Sequence, residues 1–129
     1  MSRSPGSADV LEQALRLQTE AAAEGFDWPN IQPVLDKLAE ELDELRAELQ
    51  TDAVDTRRAE EELGDLLFSA VNLARHLGLD PNRALAGCNE KFTARFARVM
   101  ADPSSLPPLG DPRRLEAMEA RWGAAKAAE

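Results

Sequence analysis

Two acidic pairs at helical spacing constrain this chain more than any other feature. The stretch from Glu40 to Asp65 reads EELDELRAEL, a polar break TDAVDTRR, then AEEELGDLLF. Glu41/Glu44 and Glu62/Asp65 are each spaced i, i+3, which sets both carboxylates of a pair on one helix face about one turn apart. The break between the runs is short enough to make the two helices antiparallel neighbours, so four carboxylates can converge on one point. Like charges gathered in this way repel unless a cation lies between them. An all-oxygen donor set suits a hard ion, Mg²⁺ or Mn²⁺ as its substitute, whereas zinc would call for the His and Cys ligands that a chain with one His and one Cys scarcely offers.

A lone ExxE on a helix is ordinarily a solvated face; the second pair shifts the balance toward a metal site. At 100° per residue, Glu62, Asp65, Ser69, Asn72 and His76 fall within about 80° of one another. Leu63, Leu66, Leu67, Ala70, Leu73, Ala74 and Leu77 fill a broad arc beside them, with Phe68 and Val71 beyond. So wide an apolar arc predicts a buried helix, and a carboxylate on a half-buried stripe must be paired or ligate a metal. Gly64 within that helix admits either close approach of a ligand to the backbone or a tight helix crossing.

At 129 residues the chain is expected to form one domain. Its net charge of −9 argues against a nucleic-acid or anionic-lipid surface. No apolar run is long enough to span a membrane, and MSRSPGSADV lacks a signal-peptide core, so a cytoplasmic protein is expected. Cys88 is expected to be a buried small hydrophobe rather than a reactive thiol.

Residues 1–6 read as a disordered tail, 7–101 as a helical domain and 102–129 as a Pro-rich linker followed by a C-terminal helix that docks on the domain or on a partner. A helix from about Ser7 to Glu24 carries Leu11, Ala14, Leu15 and Gln18 on one face and stops at Gly25. In the following GFDWPN, Phe26 and Trp28 read as a hydrophobic plug over the helix ends, or Trp28 as the border of a base pocket. Asn30 caps the next helix, with Pro33 in its first turn. Leu35, Leu38, Leu42, Leu45 and Leu49 form its apolar stripe, and Lys37, Glu41, Glu44 and Glu48 run along one flank. Asp55 caps the helix that ends near Gly78, and Asp80-Pro81 opens another. That helix is expected to bury Leu85, Cys88, Phe92, Phe96 and Val99. Beside them Lys91, Arg95 and Arg98 make a basic line, either a solvated face or a clamp for phosphate oxygens. Asp111-Pro112 starts a last helix with Leu115, Met118 and Trp122 on one side. The fold class expected is an all-α antiparallel bundle, completed by oligomerisation because the apolar arcs are wide for a chain this size.

The segments GFDWPN, VLDKLAEELDEL, EEELGDLLFSAVNLARHLG and NEKFTARF, in this order with compatible gaps, resemble the MazG nucleoside triphosphate pyrophosphohydrolases of the all-α NTP pyrophosphatase superfamily. The likeness runs from about Gly25 to Val99, with a weaker echo at LEAMEARW. It implies a helical bundle, homodimeric or homotetrameric, that uses Mg²⁺ to split nucleoside triphosphates into monophosphate and pyrophosphate, in a house-cleaning role or otherwise. Carried over by position, it implies metal and catalytic roles for Glu41, Glu44, Glu62 and Asp65, with Glu40 and Glu61 as near neighbours. Lys37, Lys91 and Arg95 match positions implicated in phosphate binding and Trp122 an aromatic near the nucleotide; Trp28 and Asn72 join them as nucleotide candidates. The family often carries two such domains in tandem and this sequence holds one, so roles belonging to the other do not transfer. Two further readings stand beside this one: a dUTP- or dCTP-selective diphosphatase of the same superfamily, and a non-catalytic helical interaction module. No Gly-rich GxxxxGK[ST] loop is present, so phosphate would have to be bound through metal and basic side chains.

Overall fold

The structure, a computed structural model, describes residues 9–129. The expected disordered tail at residues 1–6 lies outside the described residues, as does the first turn expected from Ser7. All regular structure among the described residues is helical: α1 (Asp9–Ala23), α2 (Ile31–Leu49), α3 (Thr56–His76), α4 (Pro81–Val99), a 3₁₀ turn (Pro103–Ser105) and α5 (Pro112–Ala127). This bears out the all-α class. The chain divides into two compact units, one ending at Ala84 and the other Leu85–Glu129. None of the described helices is long and apolar enough to cross a membrane.

The helix boundaries follow local chemistry. Asn30 Oδ1 accepts from Gln32 N at 3.1 Å, Asp55 Oδ1 from Arg57 N at 3.1 Å, Asp80 Oδ1 from Asn82 N at 2.9 Å and Asp111 Oδ1 from Arg113 N at 2.9 Å. Each satisfies a donor that a helix start leaves without an intrahelical partner. At the other ends Gly25 (φ +91°) and Gly78 (φ +68°) turn the chain through the left-handed region, where a Cβ would be strained.

In the first unit α2 and α1 both pack on α3. The turn of residues 50–55 reverses the chain, and the pairing of Glu48 on α2 with Arg58 on α3 at 3.7 Å fixes an antiparallel register. Val34 and Val71 are its fully apolar buried residues, joined by Gln18, Glu41 and Ser69. The apolar stripes are weighted differently from expectation. On α2 the face turned to α3 carries Val34, Leu38, Glu41, Leu45 and Glu48, while Leu35, Leu42 and Leu49 are exposed. On α3 Glu62, Ser69, Asn72 and His76 of the polar stripe are buried or half-buried and Asp65 is exposed, while Leu63, Leu67, Phe68 and Leu77 are exposed. Helical periodicity identifies an arc but not which edge of it meets a neighbour. Gly64 has open space where a Cβ would stand, so no tight helix crossing among the described residues explains it.

The loop between α1 and α2 is tied down by charge rather than by the expected aromatic plug, for Phe26 is 83% exposed. Asp27 accepts two hydrogen bonds from the Arg75 guanidinium, Nη2 to Oδ1 at 2.6 Å and Nη1 to Oδ2 at 3.1 Å, while His76 Nε2 lies 2.9 Å from Oδ1. Its Oδ1 also accepts from Trp28 N at 2.8 Å. The loop is thereby pinned to the C-terminal turn of α3.

In the second unit Val99, Leu106 and Ala125 are buried. Four of the five residues expected in the α4 core are not: Leu85, Phe92 and Phe96 are exposed, and so is Cys88, against the expectation of a buried small hydrophobe. Leu115 of α5 is exposed as well. A 19-residue helix with one neighbouring helix in its unit has only one side to bury. Phe92 instead stacks on Phe96 (centroids 5.7 Å apart) and meets Trp122 of α5 at 5.3 Å. Arg121 closes the intervening segment by donating to Val99 O at 3.0 Å and Asp102 O at 3.1 Å.

Arg75 holds the Asp27 carboxyl well below the ordinary carboxylate range. A depressed folded-state pKa contributes stability that is present above the usual aspartate titration and lost as the pH falls through the folded value. Asp27→Asn removes a partly buried bidentate ion pair, so it should cost about 1.5–3 kcal/mol at neutral pH, the scale of a charged hydrogen bond. The deficit should narrow on acidification, and urea melts at pH 7 and pH 3 check both statements.

Candidate metal centre and adjoining cavity

Glu41 on α2 and Glu62 and Asp65 on α3 each offer a carboxylate oxygen, and these oxygens lie within 4.8 Å of one another. The antiparallel register brings them together, with the i, i+3 spacing supplying the α3 pair. Glu41 is only 4% exposed, Glu62 is half-buried and Asp65 is exposed, so the cluster opens from the core to the surface. Glu41 Oε2 and Glu62 Oε2 are buried with no hydrogen-bond partner. Two desolvated anionic oxygens left bare in one carboxylate cluster are costly unless a cation meets them. This oxygen-only donor set therefore fits Mg²⁺ or Mn²⁺.

Glu44 stands beside the three. It hydrogen-bonds to Glu41, lies against that residue's negative charge and also interacts with Glu62, which pushes its carboxyl up to about 7. Lys37, one turn before Glu41, places Nζ 3.0 Å from Glu41 Oε1 and 3.6 Å from Glu40 Oε1, and the Glu41 carboxylate raises the lysine's pKa. Glu40 and Glu61 are exposed and outside the three-residue cluster.

Lys37 also lines a cavity of about 460 Å³ in the same unit. Trp28 and Phe68 give it aromatic walls, and Gln18, Ser69, Asn72 and Arg75 supply its polar groups. Asn72 is oriented by Arg75, whose Nε and Nη2 donate to Asn72 Oδ1 at 3.1 and 2.9 Å. Trp28, Asn72 and Lys37, all named from sequence, thus meet at one cavity. Gln18 and Arg75 were not singled out as site residues. The available signal for Gln18 was a lone amide on the apolar face of α1; for Arg75 it was a basic residue in the last turn of a helix whose polar stripe already held Asn72 and His76.

The remaining sequence candidates lie in the second unit. Lys91 is exposed. Arg95 is engaged by Glu129, with Nη2 to Oε1 at 2.6 Å and Nε to both oxygens at 3.0–3.1 Å, and its guanidinium lies 5.6 Å from the Trp122 ring centroid.

A family model described as "MazG nucleotide pyrophosphohydrolase domain" matches residues 30–100. The chain is 48% identical over 95 residues to "Nucleoside triphosphate pyrophosphohydrolase" of Escherichia coli (strain K12), covering 74% of this chain and 36% of that protein. It is 46% identical over 90 residues to "Nucleoside triphosphate pyrophosphohydrolase/pyrophosphatase MazG" of Thermotoga maritima, covering 70% of this chain and 33% of the other. "Uncharacterized protein YabN" of Bacillus subtilis (strain 168) is 35% identical over 68 residues, 53% of this chain and 14% of that one. The chain thus spans about a third of the length of the first two relatives.

Because the Glu44 pKa is raised, the stability it contributes is fully present below pH 4.5 and is lost as the pH rises through about 7. Without divalent ions the melting temperature should therefore fall between pH 5 and pH 8. Mg²⁺ should restore it, more at pH 8 than at pH 6, since it competes with that proton. Differential scanning calorimetry with EDTA and with Mg²⁺ measures this, and Glu44→Gln should flatten the EDTA profile.

Proposed function

The chain belongs to the MazG nucleotide pyrophosphohydrolase domain family, and from that membership we propose that it is a Mg²⁺-dependent nucleoside triphosphate pyrophosphohydrolase, converting an NTP or dNTP and water to the monophosphate and pyrophosphate. The observation that carries this reading is Lys37, which lines the aromatic cavity while its ammonium rests on Glu41 of the carboxylate cluster. A base in the cavity would leave its triphosphate to run past Lys37 toward the acidic oxygens.

In this proposal Glu41, Glu44, Glu62 and Asp65 would hold the metal, which would supply charge neutralisation of the triphosphate and polarisation of the attacking water. Water oxygen bonds to the α-phosphorus as the bond from that phosphorus to the bridging oxygen breaks. Pyrophosphate leaves with the electron pair, and a carboxylate of the cluster takes the water's proton. Lys37 stabilises charge on the non-bridging oxygens, a role also proposed for Lys91 and Arg95 of the second unit, with Trp122 near the nucleotide. Glu40 and Glu61 tune the field around the ligands. The same proposal includes a house-cleaning role, a cytoplasmic setting and a homodimer or homotetramer. The exposed Leu35, Leu42 and Leu49 of α2 and Leu63 and Leu67 of α3 offer a second copy an apolar face. A dUTP- or dCTP-selective enzyme would separate from this reading on a panel of canonical and damaged triphosphates. A non-catalytic module would neither bind Mg²⁺ nor release pyrophosphate.

Glu41→Gln and Asp65→Asn should each lower kcat/KM by more than about a hundredfold, beyond the usual cost of losing an outer-sphere partner. Melting without Mg²⁺ should stay unchanged or rise, since like-charge repulsion is relieved. Near wild-type turnover at saturating Mg²⁺ would remove the metal assignment. Arg95→Ala should lower kcat/KM by roughly ten- to a hundredfold if its guanidinium exchanges Glu129 for phosphate, with little change in melting. Unchanged kinetics would leave Arg95 a purely structural partner of Glu129 and Trp122.

A further inference from the structure

We propose that Glu129 is a built-in competitor for the phosphate site at Arg95: its carboxylate occupies the guanidinium edge that a phosphoryl group of the substrate must take, so every binding event has to displace it. This concerns the regulation of the site proposed above and rests on Arg95 binding phosphate there.

The contact has the geometry of an anion site with an anion in place. Arg95 turns one edge to the carboxylate: Nη2 donates to Oε1 at 2.6 Å, and Nε reaches Oε1 at 3.1 Å and Oε2 at 3.0 Å. Two oxygens against a planar fork is the arrangement that a phosphate also offers to arginine. Arg95 holds the Glu129 carboxyl below its ordinary range, and the charges of Arg98 and Lys91, one turn to either side on α4, act in the same direction. Among the described residues neither Lys91 nor Arg98 has an ion pair of its own. Three cations therefore act on a single carboxylate, and an anion carrying several charges satisfies them better than one carboxylate does.

The cation is fixed and the anion is loosely held. The Arg95 side chain is 13% exposed, and its guanidinium lies 5.6 Å from the centroid of the Trp122 ring, which Phe92 meets at 5.3 Å. That support does not depend on which anion the guanidinium binds. The Glu129 side chain is 44% exposed and belongs to a residue two positions beyond Ala127, where α5 ends. The C-terminal end of a helix is the negative pole of its macrodipole and disfavours a carboxylate. Nor is Glu129 needed to keep α5 docked: Ala125 is buried, Trp122 meets Phe92, and Arg121 donates to Val99 O and Asp102 O. Glu129 is thus a pendant anion on a rigid cation, and the fraction of molecules in which it has let go sets the apparent affinity for phosphate.

The test is calorimetric titration of inorganic tripolyphosphate, with Mg²⁺, into the full chain and into Glu129→Ala, Arg95→Ala and the two combined. Glu129→Ala should tighten the dissociation constant about two- to fivefold, the share that an exposed ion pair withholds, with the melting temperature unchanged. Should that variant melt below the wild type, Glu129→Gln, which keeps the side-chain length and drops the charge, decides in its place and should tighten binding too. Arg95→Ala should weaken binding, and adding Glu129→Ala to it should change nothing further, as two residues acting through one contact require. Equal or weaker binding without the Glu129 carboxylate would overturn the proposal. So would an equal gain in the Arg95→Ala background, which would trace to the loss of one negative charge from a chain of net charge −9. Binding undiminished by Arg95→Ala, or no binding by any of these proteins, is a different failure: Arg95 would then hold no phosphate, and its proposed role would fall together with that of Glu129.

Discussion

Glu41 and Glu62 each keep a carboxylate oxygen buried without a partner, in a cluster whose carboxylates come within 4.8 Å of one another, and the first unit has to accommodate that repulsion. Apolar burial by Val34 and Val71 holds α2 and α3 together. The antiparallel register then leaves no way to keep the acidic stripes apart without losing that packing. The molecule relieves the charge in two ways from its own side chains: Lys37 donates to Glu41, and Glu44 retains its proton to near neutrality. Neither gives the orphaned oxygens a hydrogen bond. A hard cation is the remaining partner of the right chemistry, and coordination would turn a destabilising feature into a cross-link between the two helices.

The aromatic cavity depends on the same helix. Asn72 and Ser69 continue the α3 stripe that begins with Glu62 and Asp65, so one face carries first the acidic ligands and then the cavity's polar groups. Arg75, one turn further, both orients Asn72 and holds Asp27. It thereby fixes the loop bearing Trp28. One guanidinium links loop position to amide orientation, so a change at Asp27, itself on the cavity wall, would also be felt at Asn72 through Arg75.

Much of this was legible because it is local. The caps Asn30, Asp55, Asp80 and Asp111 act within three residues of themselves, so each could be read directly and each makes its bond. The carboxylate pairs were legible for the same reason, and a short turn was enough to bring them together. What sequence could not weigh was which edge of a wide apolar arc meets a neighbour. Val34, one residue from the leucine stripe, is the buried apolar residue of α2, while Leu35, Leu42 and Leu49 are exposed. The α4 stripe failed as a core because burial depends on how many elements surround a helix, which periodicity does not encode. Gln18 read as the polar edge of an apolar face. Only the partner 50 residues away, Phe68 O, reveals that its amide is fixed and half satisfied.

The central claim is that the carboxylate cluster and the cavity together direct water to the α-phosphorus. Hydrolysis of a nucleoside triphosphate by the wild-type chain in ¹⁸O-water with Mg²⁺, followed by mass spectrometry of the products, tests it directly. The account predicts one ¹⁸O in the nucleoside monophosphate and none in the pyrophosphate; label in pyrophosphate, release of diphosphate and orthophosphate, or no hydrolysis would contradict it.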